Sequence, residues 1–560
     1  MKRRLAAATV LAGMTIFLLA AAPPRPRAVQ RGEAAITPDL LYAHTAFLSD
    51  DLLEGRGPGG RGIQLASKYI ASEFRRLGLK PVGDNGTYFQ NVPLLGRKVE
   101  PKAELHVARG GDRSEFKFFD DWVPMSDAET EKVKVEGDLV FVGYGITAPE
   151  NRWDDFKGVD VRNKVLLVLV NDPPAPPDEP DLFGGKALTY YGRWTYKFEE
   201  AARRGAAGAI LIHTTESAGY PFQVVQSSWT TERFDLPRQP GDEPPLNLKG
   251  WVSQPVAEKI LGLAKLELSE LQTMAATRDF KPVALGVRVS TELEQKLRRL
   301  ESPNVIGLLP GRDPKGKEEY VIYTAHHDHL GIGQPDKDGD NIYNGAADNA
   351  IGVAGLLAIA EAMVEASKTQ PPRRSQVFLA VTAEEQGLLG ALYYARNPVF
   401  PPAQTVANIN MDGLNIIGPT TDIVQVGNGK SELDAVAQSV ARERGLTLKP
   451  DQFPEKGFFY RSDQFAFAKV GIPALYFDNG LDVIGKPPGY GKEKAEEYTA
   501  RDYHQPSDEI RPDWDWRGAE QMAEYLFAIG WRVANATRWY EWNPTAEFRA
   551  AREASRKKTK

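Results

Sequence analysis

Short apolar runs alternate with amphipathic stretches along the second half of the chain. Runs rich in β-branched and aromatic residues predict buried strands, and apolar positions that recur every three or four residues predict helices. The predicted strands cover residues 321–325, 376–381, 406–411 and 472–477, and the predicted helices cover residues 352–365, 388–396, 431–444 and 516–533. Strands that alternate with helices in this way predict an α/β fold, a three-layer sandwich with a mostly parallel central sheet.

The first half of the chain has a different pattern. Residues 63–77 carry apolar positions at helical spacing and predict an amphipathic helix, whereas the glycine-rich residues 53–60 predict a flexible loop. Further on, apolar runs such as residues 165–170 predict another group of strands. We interpret residues 136–290 as a small β-rich domain inserted into the main one. It contains no cluster of histidines and carboxylates, which favours a lid or spacer without chemistry of its own.

Composition excludes several classes of protein. The chain has 560 residues, enough for two or more domains with sizeable cores. Lys and Arg number 69 against 75 Asp and Glu, so the net charge of −6 gives no indication of nucleic-acid binding. The chain has no cysteine, which excludes disulfides, thiolate zinc sites and a cysteine nucleophile. Any metal must therefore be held by His, Asp and Glu.

The N-terminus has the pattern of an export signal. Basic residues 2–4 precede an apolar stretch that ends in three alanines, which predicts a signal peptide over residues 1–22, although Pro23 would follow the cut. An uncleaved N-terminal membrane anchor is the alternative. We expect an exported protein, periplasmic or extracellular, with no stable membrane association after cleavage. Residues 23–35 are predicted to be a disordered leader, and residues 546–560 a charged C-terminal tail.

Polar side chains follow the carboxyl ends of the predicted strands. His326 and Asp328 come after the first strand, Glu384 and Glu385 after the second, and Asp412 after the third. A His-x-Asp pair lets one imidazole nitrogen bind a metal while the carboxylate holds the other nitrogen. Each piece alone is more typical of a surface loop, a solvated helix face or a turn. Because ligands of parallel sheets bind beyond these strand ends, we expect the residues to form one site.

Two more side chains complete the set of candidate metal ligands. Asp348 precedes a run of small residues that opens a helix, and His504 lies in the loop before the last helix. The five candidates are His326, Asp348, Glu385, Asp412 and His504. Five nitrogen and oxygen donors suit zinc or a similar divalent ion, and they exceed the three protein ligands of one catalytic zinc. They fit two metals if one carboxylate bridges, and Glu384 is then a natural general base.

Other catalytic motifs are missing from the sequence. It contains no His-Glu-x-x-His and no Gly-x-Ser-x-Gly. A metallo-β-lactamase pattern would require a histidine where Thr324 stands.

The motifs AHHDHLG, NGAADNAIGVAG, TAEEQGLLG, INMDGLN, YRSDQFAFAKVGIPA and YHQPSDE resemble, in this order, the co-catalytic di-zinc exopeptidases of metallopeptidase family twenty-eight. That family includes bacterial aminopeptidases, glutamate carboxypeptidase II and glutaminyl cyclases. The resemblance implies a zinc exopeptidase fold for a discontinuous catalytic domain, residues 36–135 and 291–545. The segments GYGITAPENRWDDFKGVDVRNKVLLVLV and AARRGAAGAILIH resemble a protease-associated domain, which some members carry.

The resemblance also implies a role for each site residue. Asp348 would bridge two zinc ions. His326 and Asp412 would complete one metal position, and Glu385 and His504 would complete the other. In the same comparison Asp328 would orient His326, and Glu384 would be the catalytic base. The identity of the oxyanion donor stays open, because Gln464 stands where relatives often carry His or Tyr.

We expect a secreted aminopeptidase that removes N-terminal residues from peptides, because Asp463 and Asp502 near the motifs favour a substrate α-ammonium. Tyr460, Arg461 and Asp463 are the candidate substrate contacts. A zinc carboxypeptidase or dipeptidase is the main alternative, since Arg461 and Arg501 are candidates for holding a terminal carboxylate. A glutaminyl cyclase would usually be shorter, and a non-enzymatic receptor-like relative would be expected to lose ligands.

Overall fold

The computed structural model describes residues 25–557, except residues 219–220, 231, 240–241 and 243. The predicted signal peptide, residues 1–22, lies outside the described residues. The strands are β1 (Lys80–Pro81), β2 (Phe89–Val99), β3 (Glu104–Arg109), β4 (Asp112–Lys117), β5 (Trp122–Met125), β6 (Lys132–Phe141), β7 (Thr147–Ala148), β8 (Trp153–Asp154), β9 (Val165–Leu169), β10 (Gly208–His213), β11 (Arg233–Asp235), β12 (Lys249–Ser253), β13 (Val283–Leu309), β14 (Tyr320–His326), β15 (Gly331–Ile332), β16 (Ile342–Tyr343), β17 (Ser375–Val381), β18 (Thr405–Asn410), β19 (Asp422–Val426), β20 (Thr447–Pro450) and β21 (Ala474–Asp478).

The helices complete the element order. They are α1 (Arg27–Glu33), α2 (Pro38–Leu48), α3 (Arg61–Arg76), α4 (Trp194–Arg203), α5 (Thr215–Ala218), α6 (Phe222–Trp229), α7 (Gln254–Leu263), α8 (Leu268–Ala275), α9 (Ile351–Ser367), α10 (Leu389–Arg396), α11 (Leu433–Glu443), α12 (Gln464–Lys469), α13 (Tyr490–Arg501), α14 (Arg517–Asn535) and α15 (Arg549–Lys557).

The central sheet has parallel strands at its middle, β17, β14, β18 and β21 in spatial order. Strand β13 pairs antiparallel with β17 on one side, and β19 pairs antiparallel with β21 on the other. Every residue of β14, β17 and β18 is buried, as expected for strands covered on both faces. The predicted mixed α/β fold with a mostly parallel central sheet is confirmed.

Helices cover both faces of this sheet and bury it. Helices α9 and α14 pack on one face, in the largest apolar core of the described residues, and α10 and α12 pack on the other face. Helix α9 continues from a turn at Ala346, and the stretch Ala346–Ser367 is apolar and long enough to cross a membrane by composition. Since most of that stretch is buried inside the protein, a core helix explains its apolar sequence.

A second, smaller sheet forms the inserted unit. Its strands run in the spatial order β4, β3, β13, β6, β9, β10, β12 and β5, with two apolar cores of its own. The predicted start of the inserted domain at residue 136 is therefore wrong. Strands β3 to β5, residues 104–125, belong to the second sheet because their backbone groups pair there.

Strand pairing, in addition to the two chain connections, joins the inserted unit to the central sheet. Strand β13 is 27 residues long; residues 283–294 pair with β6 in the second sheet, and residues 295–305 pair with β2 in the central sheet. The short strand β11 leaves the inserted unit and pairs antiparallel with β2 at the edge of the central sheet. A segment predicted to be a spacer thus reaches the edge of the central sheet.

Two predictions for surface segments are corrected by the structure. Within the leader predicted to be disordered, residues 27–33 form helix α1, and its Ala28 and Val29 are buried in the main core. Residues 53–56 of the glycine-rich segment belong to an ordered 3-10 segment, Asp51–Arg56, instead of a flexible loop. In both cases contacts with distant elements supply the order that local composition does not predict. The predicted charged C-terminal tail contains α15, whose Arg552 is buried.

Candidate metal centre

The parallel strands bring three candidate ligands to one edge of the sheet. His326 is the last residue of β14, Glu385 follows β17 and Asp412 follows β18. Neighbouring parallel strands end at the same edge, so these side chains converge. Asp348 lies in the turn that opens the α9 stretch, and His504 lies in the loop after α13. The structure therefore places all five candidate ligands in one cluster.

The cluster divides into two groups that share Asp348. His326 Nε2 lies 3.2 Å from Asp348 Oδ1 and 3.2 Å from Asp412 Oδ1. His504 Nε2 lies 3.3 Å from Asp348 Oδ2 and 3.1 Å from Glu385 Oε2. Each carboxylate oxygen of Asp348 thus faces a different histidine. This is the arrangement that a bridging carboxylate requires.

These distances are compatible with ligand atoms that share a zinc ion. Ligand atoms held about 2.0–2.1 Å from a tetrahedral zinc lie roughly 3.3–3.5 Å from one another. The observed separations of 3.1–3.3 Å are close to that range. Within the described part of the chain, the buried Nε2 of His504 has no hydrogen-bond partner of acceptable geometry, although Glu385 and Asp348 are near. The donor set therefore suits a divalent metal in each group.

The charges of the cluster are strongly coupled. Burial opposes the charge of Asp348, but contacts with His326 and His504 lower its pKa well below the usual value. Burial likewise opposes the charge of Glu385, while His504 lowers its pKa to about 2. Burial also disfavours positive charge on both histidines, yet the surrounding carboxylates raise the pKa of His326 and His504 well above the usual value.

Glu384 lies at the edge of this cluster with its carboxyl group mostly buried. A carboxylate oxygen of Glu384, a carboxylate oxygen of Glu385 and a ring nitrogen of His326 all lie within 4.8 Å of one another. Burial raises the pKa of Glu384 well above the usual value, His326 opposes that shift, and Asp412 adds to it. A carboxylate with a raised pKa beside the metal positions is suited to accept and return a proton.

The Asp328 carboxylate holds the loop that carries Glu384 and Glu385, and it does not contact the ring of His326 directly. Its carboxylate accepts hydrogen bonds from the backbone N–H groups of Glu384, at 3.1 Å, and Glu385, at 3.4 Å. The Nδ1 of His326 lies 3.2 Å from the backbone carbonyl oxygen of Asp328, whereas the nearer carboxylate oxygen is 3.8 Å away. The backbone carbonyl group of Asp328, and not its carboxylate as predicted, therefore makes the contact with the His326 ring.

Two residues without a predicted role support the ligands directly. His329 Nδ1 lies 2.6 Å from Glu385 Oε1, so the ring fixes the second oxygen of that carboxylate. The Asp508 carboxylate accepts hydrogen bonds from the backbone N–H groups of Ala347 and Asp348, each at 3.0 Å. His329 lies within the motif AHHDHLG, and Asp508 lies within the motif YHQPSDE, four residues after His504. Their proximity along the chain was the only signal, and it does not distinguish them from ordinary polar neighbours.

Arg56 reaches the back of the cluster from the glycine-rich segment. Its guanidinium donates hydrogen bonds to the backbone carbonyl groups of Asn344 at 2.6 Å, Gly345 at 2.9 Å and His327 at 3.0 Å, and also to that of Leu48. The side chain is fully buried, and burial lowers its pKa to about 10 despite nearby carboxylates. Arg56 therefore ties the loop after β14 to the turn before Asp348.

The chain takes a left-handed path to deliver Arg56. The φ angles of Glu54, Gly55 and Arg56 are 50°, 64° and 52°. A Cβ atom on Gly55 would lie only 2.5 Å from the carbonyl oxygen of Gly331, so glycine is required for this close approach. No local pattern distinguishes this segment from an ordinary flexible loop, which explains the incorrect prediction.

The candidate substrate contacts are placed differently from the prediction. The Tyr460 hydroxyl donates a hydrogen bond to Glu547 at 2.7 Å and accepts one from Lys430 at 3.2 Å, so it is engaged away from the metal cluster. Asp463 lies beside the cluster, but its side chain is buried. Asp502 forms ion pairs with Arg501 and Arg511 and does not contribute free charge to the rim. Asp502 therefore does not supply the predicted affinity for an α-ammonium.

Other side chains set the charge around the metal positions. At the end of β21, Asp478 has no ion-pair partner in the described part of the chain; burial raises its pKa to about 6, and Asp412 is close enough to contribute. Tyr503 stacks on His504 with ring centroids 3.9 Å apart, and Arg461 is close enough to lower the pKa of Tyr503, which burial raises to about 12. Acidic and basic groups thus lie near different metal positions.

Comparison with known proteins agrees with this geometry. Residues 304–529 match the model of Peptidase family M28. No curated protein matches the chain.

Solved structures share the architecture at low sequence identity. An aminopeptidase from Aneurinibacillus sp. strain AM-1 is 18% identical with a TM-score of 0.50, and the match covers 91% of this chain and 97% of that one. A zinc aminopeptidase from Bacillus subtilis is 18% identical with a TM-score of 0.44, covering 92% and 97%. A Peptidase M28 precursor from Shewanella amazonensis SB2B is 19% identical with a TM-score of 0.43, covering 92% and 97%. The first of these shows a common fold.

Proposed function

We propose that this protein, whose residues 304–529 match the model of Peptidase family M28, belongs to that family and is an aminopeptidase that works with two zinc ions. One observation carries the number of ions. The two oxygens of Asp348 face His326 at 3.2 Å and His504 at 3.3 Å, and each group also contains its own terminal carboxylate. A single zinc would leave one histidine and one carboxylate without a role.

His326 and Asp412 would hold one ion, Glu385 and His504 the other, and Asp348 both. When bound, zinc ions lower the pKa of a water molecule towards about 7 and polarise the scissile carbonyl group. The Glu384 carboxylate accepts the proton of the attacking water. As the oxygen of that water bonds to the carbonyl carbon and the C–N bond breaks, Glu384 donates the proton to the leaving amine nitrogen. Asp328 keeps Glu384 in place through the backbone of the loop.

The unpaired carboxylate of Asp478 supports attack at the N-terminus of the substrate. Asp478 ends β21, the strand next to the one that Asp412 follows, and has no ion-pair partner among the described residues. A substrate α-ammonium group beside Asp412 would meet an anionic surface there. The fold shared with the Aneurinibacillus aminopeptidase agrees with this direction.

The direction of attack is tested with three forms of one dipeptide. We expect the zinc-loaded enzyme to cleave the free-amine dipeptide and its C-terminal amide, and to leave the N-acetyl form intact. A chelator should abolish the activity, and zinc should restore it. Cleavage of the N-acetyl form without cleavage of the amide would show a carboxypeptidase and contradict the proposal.

The basic and apolar N-terminal segment supports export to the periplasm or the medium, with an uncleaved anchor as the alternative. The test is N-terminal sequencing of protein recovered from cell fractions. A mature chain that starts near residue 23 in the soluble exported fraction is the expected result. Recovery of the intact N-terminus in the membrane fraction would show an anchor.

A further inference from the structure

His329 is a buried histidine that contacts a metal ligand without being one of the five candidate ligands. Its side chain is fully buried, and its Nδ1 lies 2.6 Å from Oε1 of Glu385. The other oxygen of Glu385, Oε2, lies 3.1 Å from Nε2 of His504. The two oxygens of this carboxylate are therefore divided, since one faces His329 and the other faces the histidine that would share a metal with it.

The ring of His329 is held in place by the backbone around it. The backbone N–H of His329 donates a hydrogen bond to the carbonyl oxygen of Arg56 at 3.3 Å. On one side the ring packs against Gly345, because a Cβ atom there would lie only 2.6 Å from its Cγ and Cδ2 atoms. Gly345 directly precedes the turn that carries Asp348. The ring thus lies between the Glu385 carboxylate and the start of that turn.

The contact with Glu385 is the single hydrogen bond of this ring in the described part of the chain. A metal-binding carboxylate is ionised and only accepts hydrogen bonds, so Nδ1 of His329 is the nitrogen that carries the proton. A neutral imidazole has one N–H group, and Nε2 is then an acceptor. This Nε2 is buried and has no hydrogen-bond partner among the described residues. The polar function of the side chain is therefore to hold Oε1 of Glu385.

The hydrogen bond fixes the rotation of the Glu385 carboxylate. A carboxylate can bind a metal through one oxygen or through both. With Oε1 facing His329, only Oε2 joins Nε2 of His504 and Oδ2 of Asp348 around this metal position, where His504 Nε2 lies 3.1 Å and 3.3 Å from the two oxygens. Three protein ligand atoms with one open place are the usual set for a catalytic zinc.

The other metal position has no equivalent of His329. In the described part of the chain, Asp412 has one polar contact of hydrogen-bond length, between its Oδ1 and Nε2 of His326 at 3.2 Å. The second oxygen of Asp412 accepts no hydrogen bond there, so this carboxylate can bind through one oxygen or both. Cations such as Mn²⁺ prefer more oxygen ligands than zinc does. The two positions should therefore differ in the metals that they accept.

We propose that His329 is a positioning residue whose ring N–H limits Glu385 to one metal-facing oxygen. It thereby makes the Glu385–His504 position selective for zinc over cations that need more oxygen ligands. The position of His326 and Asp412, which lacks this restriction, accepts a wider range of divalent cations. The inference rests on the proposed two-zinc function.

The test measures metal binding by the purified protein, with no substrate present. In competition with a chromophoric chelator, the wild type should bind two zinc ions. His329→Leu should lose about 10- to 100-fold in zinc affinity at one of the two positions, which is the usual effect of removing a group that holds a metal ligand. Its affinity for Mn²⁺ relative to zinc should rise, because Glu385 becomes free to bind through both oxygens.

Cobalt(II) in place of zinc reports the number of ligands directly, since its visible absorption weakens as that number rises. The cobalt-loaded His329→Leu variant should therefore absorb more weakly than the cobalt-loaded wild type. A merely structural role of the ring would lower stability without this change in the spectrum.

Three further variants separate the hydrogen bond from packing. His329→Asn places an amide N–H close to the position of Nδ1 and should keep the zinc affinity and the cobalt spectrum near those of the wild type. His329→Phe keeps a ring without a donor and should behave like His329→Leu. His44→Leu is the matched control, because His44 is also buried but its Nδ1 lies 2.7 Å from the hydroxyl of Tyr69 instead of a metal ligand. It should keep the zinc affinity and the spectrum of the wild type.

Two results would overturn the proposal. One is a folded His329→Leu or His329→Phe variant whose zinc affinity, Mn²⁺ preference and cobalt spectrum equal those of the wild type. The other is a His329→Asn variant with weakened cobalt absorption, and this measurement decides the question even if neither the leucine nor the phenylalanine variant folds. Failure of the proposed function is recognised separately, since a wild type that binds one zinc ion or none contradicts the two-zinc proposal whatever the variants show.

Discussion

Replacing Arg56 by methionine tests whether this buried cation holds the metal loops together. Methionine keeps much of the apolar volume but leaves four backbone carbonyl groups without their donor. Among these are the carbonyl groups of His327, Asn344 and Gly345. The loops that they belong to carry or flank His326 and Asp348. We therefore expect both the stability of the fold and the affinity for zinc to fall.

The expected loss of folding free energy in Arg56→Met follows from two opposing contributions. Four hydrogen bonds from a charged donor are worth about 1.5–3 kcal/mol each, or about 6–12 kcal/mol together. Burial of the guanidinium opposes this, since it lowers the pKa of Arg56 to about 10, which corresponds to a cost of about 3 kcal/mol. Subtracting the cost of burial from the hydrogen-bond energy leaves about 3 kcal/mol at the lower end. This value agrees with the loss of about 3–5 kcal/mol that follows removal of one partner of a buried charged contact.

Chemical denaturation of metal-free and zinc-loaded protein measures the loss of stability, and competition with a chelator measures the zinc affinity. Arg56→Lys keeps the charge but cannot reach four carbonyl groups, so its stability should fall between those of the wild type and the methionine variant. Arg61→Met, at an exposed position on the nearby α3, should change the free energy of unfolding by less than about 0.5 kcal/mol. A methionine variant within about 1 kcal/mol of the wild type, with unchanged zinc affinity, would refute the reasoning.

Three further predictions concern the metal cluster. Glu384→Gln should bind two zinc ions yet lose about 10²–10⁴-fold in kcat, and near-normal turnover in the zinc-loaded variant would exclude Glu384 as the base. Asp348→Ala should lower the metal content at both positions, whereas Asp412→Ala should lower it at one, and metal analysis of the two variants measures the difference. Two tightly held ions in Asp348→Ala would contradict a bridging role for Asp348. Zinc affinity should fall as pH decreases, because the raised pKa values of His326 and His504 mean that zinc must displace their protons, and calorimetry in buffers of different ionisation enthalpy should detect proton release.

The sequence alone predicted the class of fold and the cluster of ligands. Apolar runs such as β14 and β17 are buried on both faces, so they read as strands without knowledge of their neighbours. His326, Glu385 and Asp412 follow such strands directly. Their convergence depends only on the rule that parallel strands end at the same edge, and this is why local patterns were sufficient.

Tertiary structure alone decided which residues support the site and which only lie near it in sequence. Arg56 comes from a segment that local composition describes as flexible. It reaches the cluster through long-range contacts with the loops around His327 and Gly345. Conversely, Tyr460 and Asp502 lie close to the motifs in sequence, but Glu547, Arg501 and Arg511 engage them elsewhere. Local pattern determines which segments become strands and helices, whereas the contacts of Arg56 with His327, Asn344 and Gly345 depend on packing between segments hundreds of residues apart.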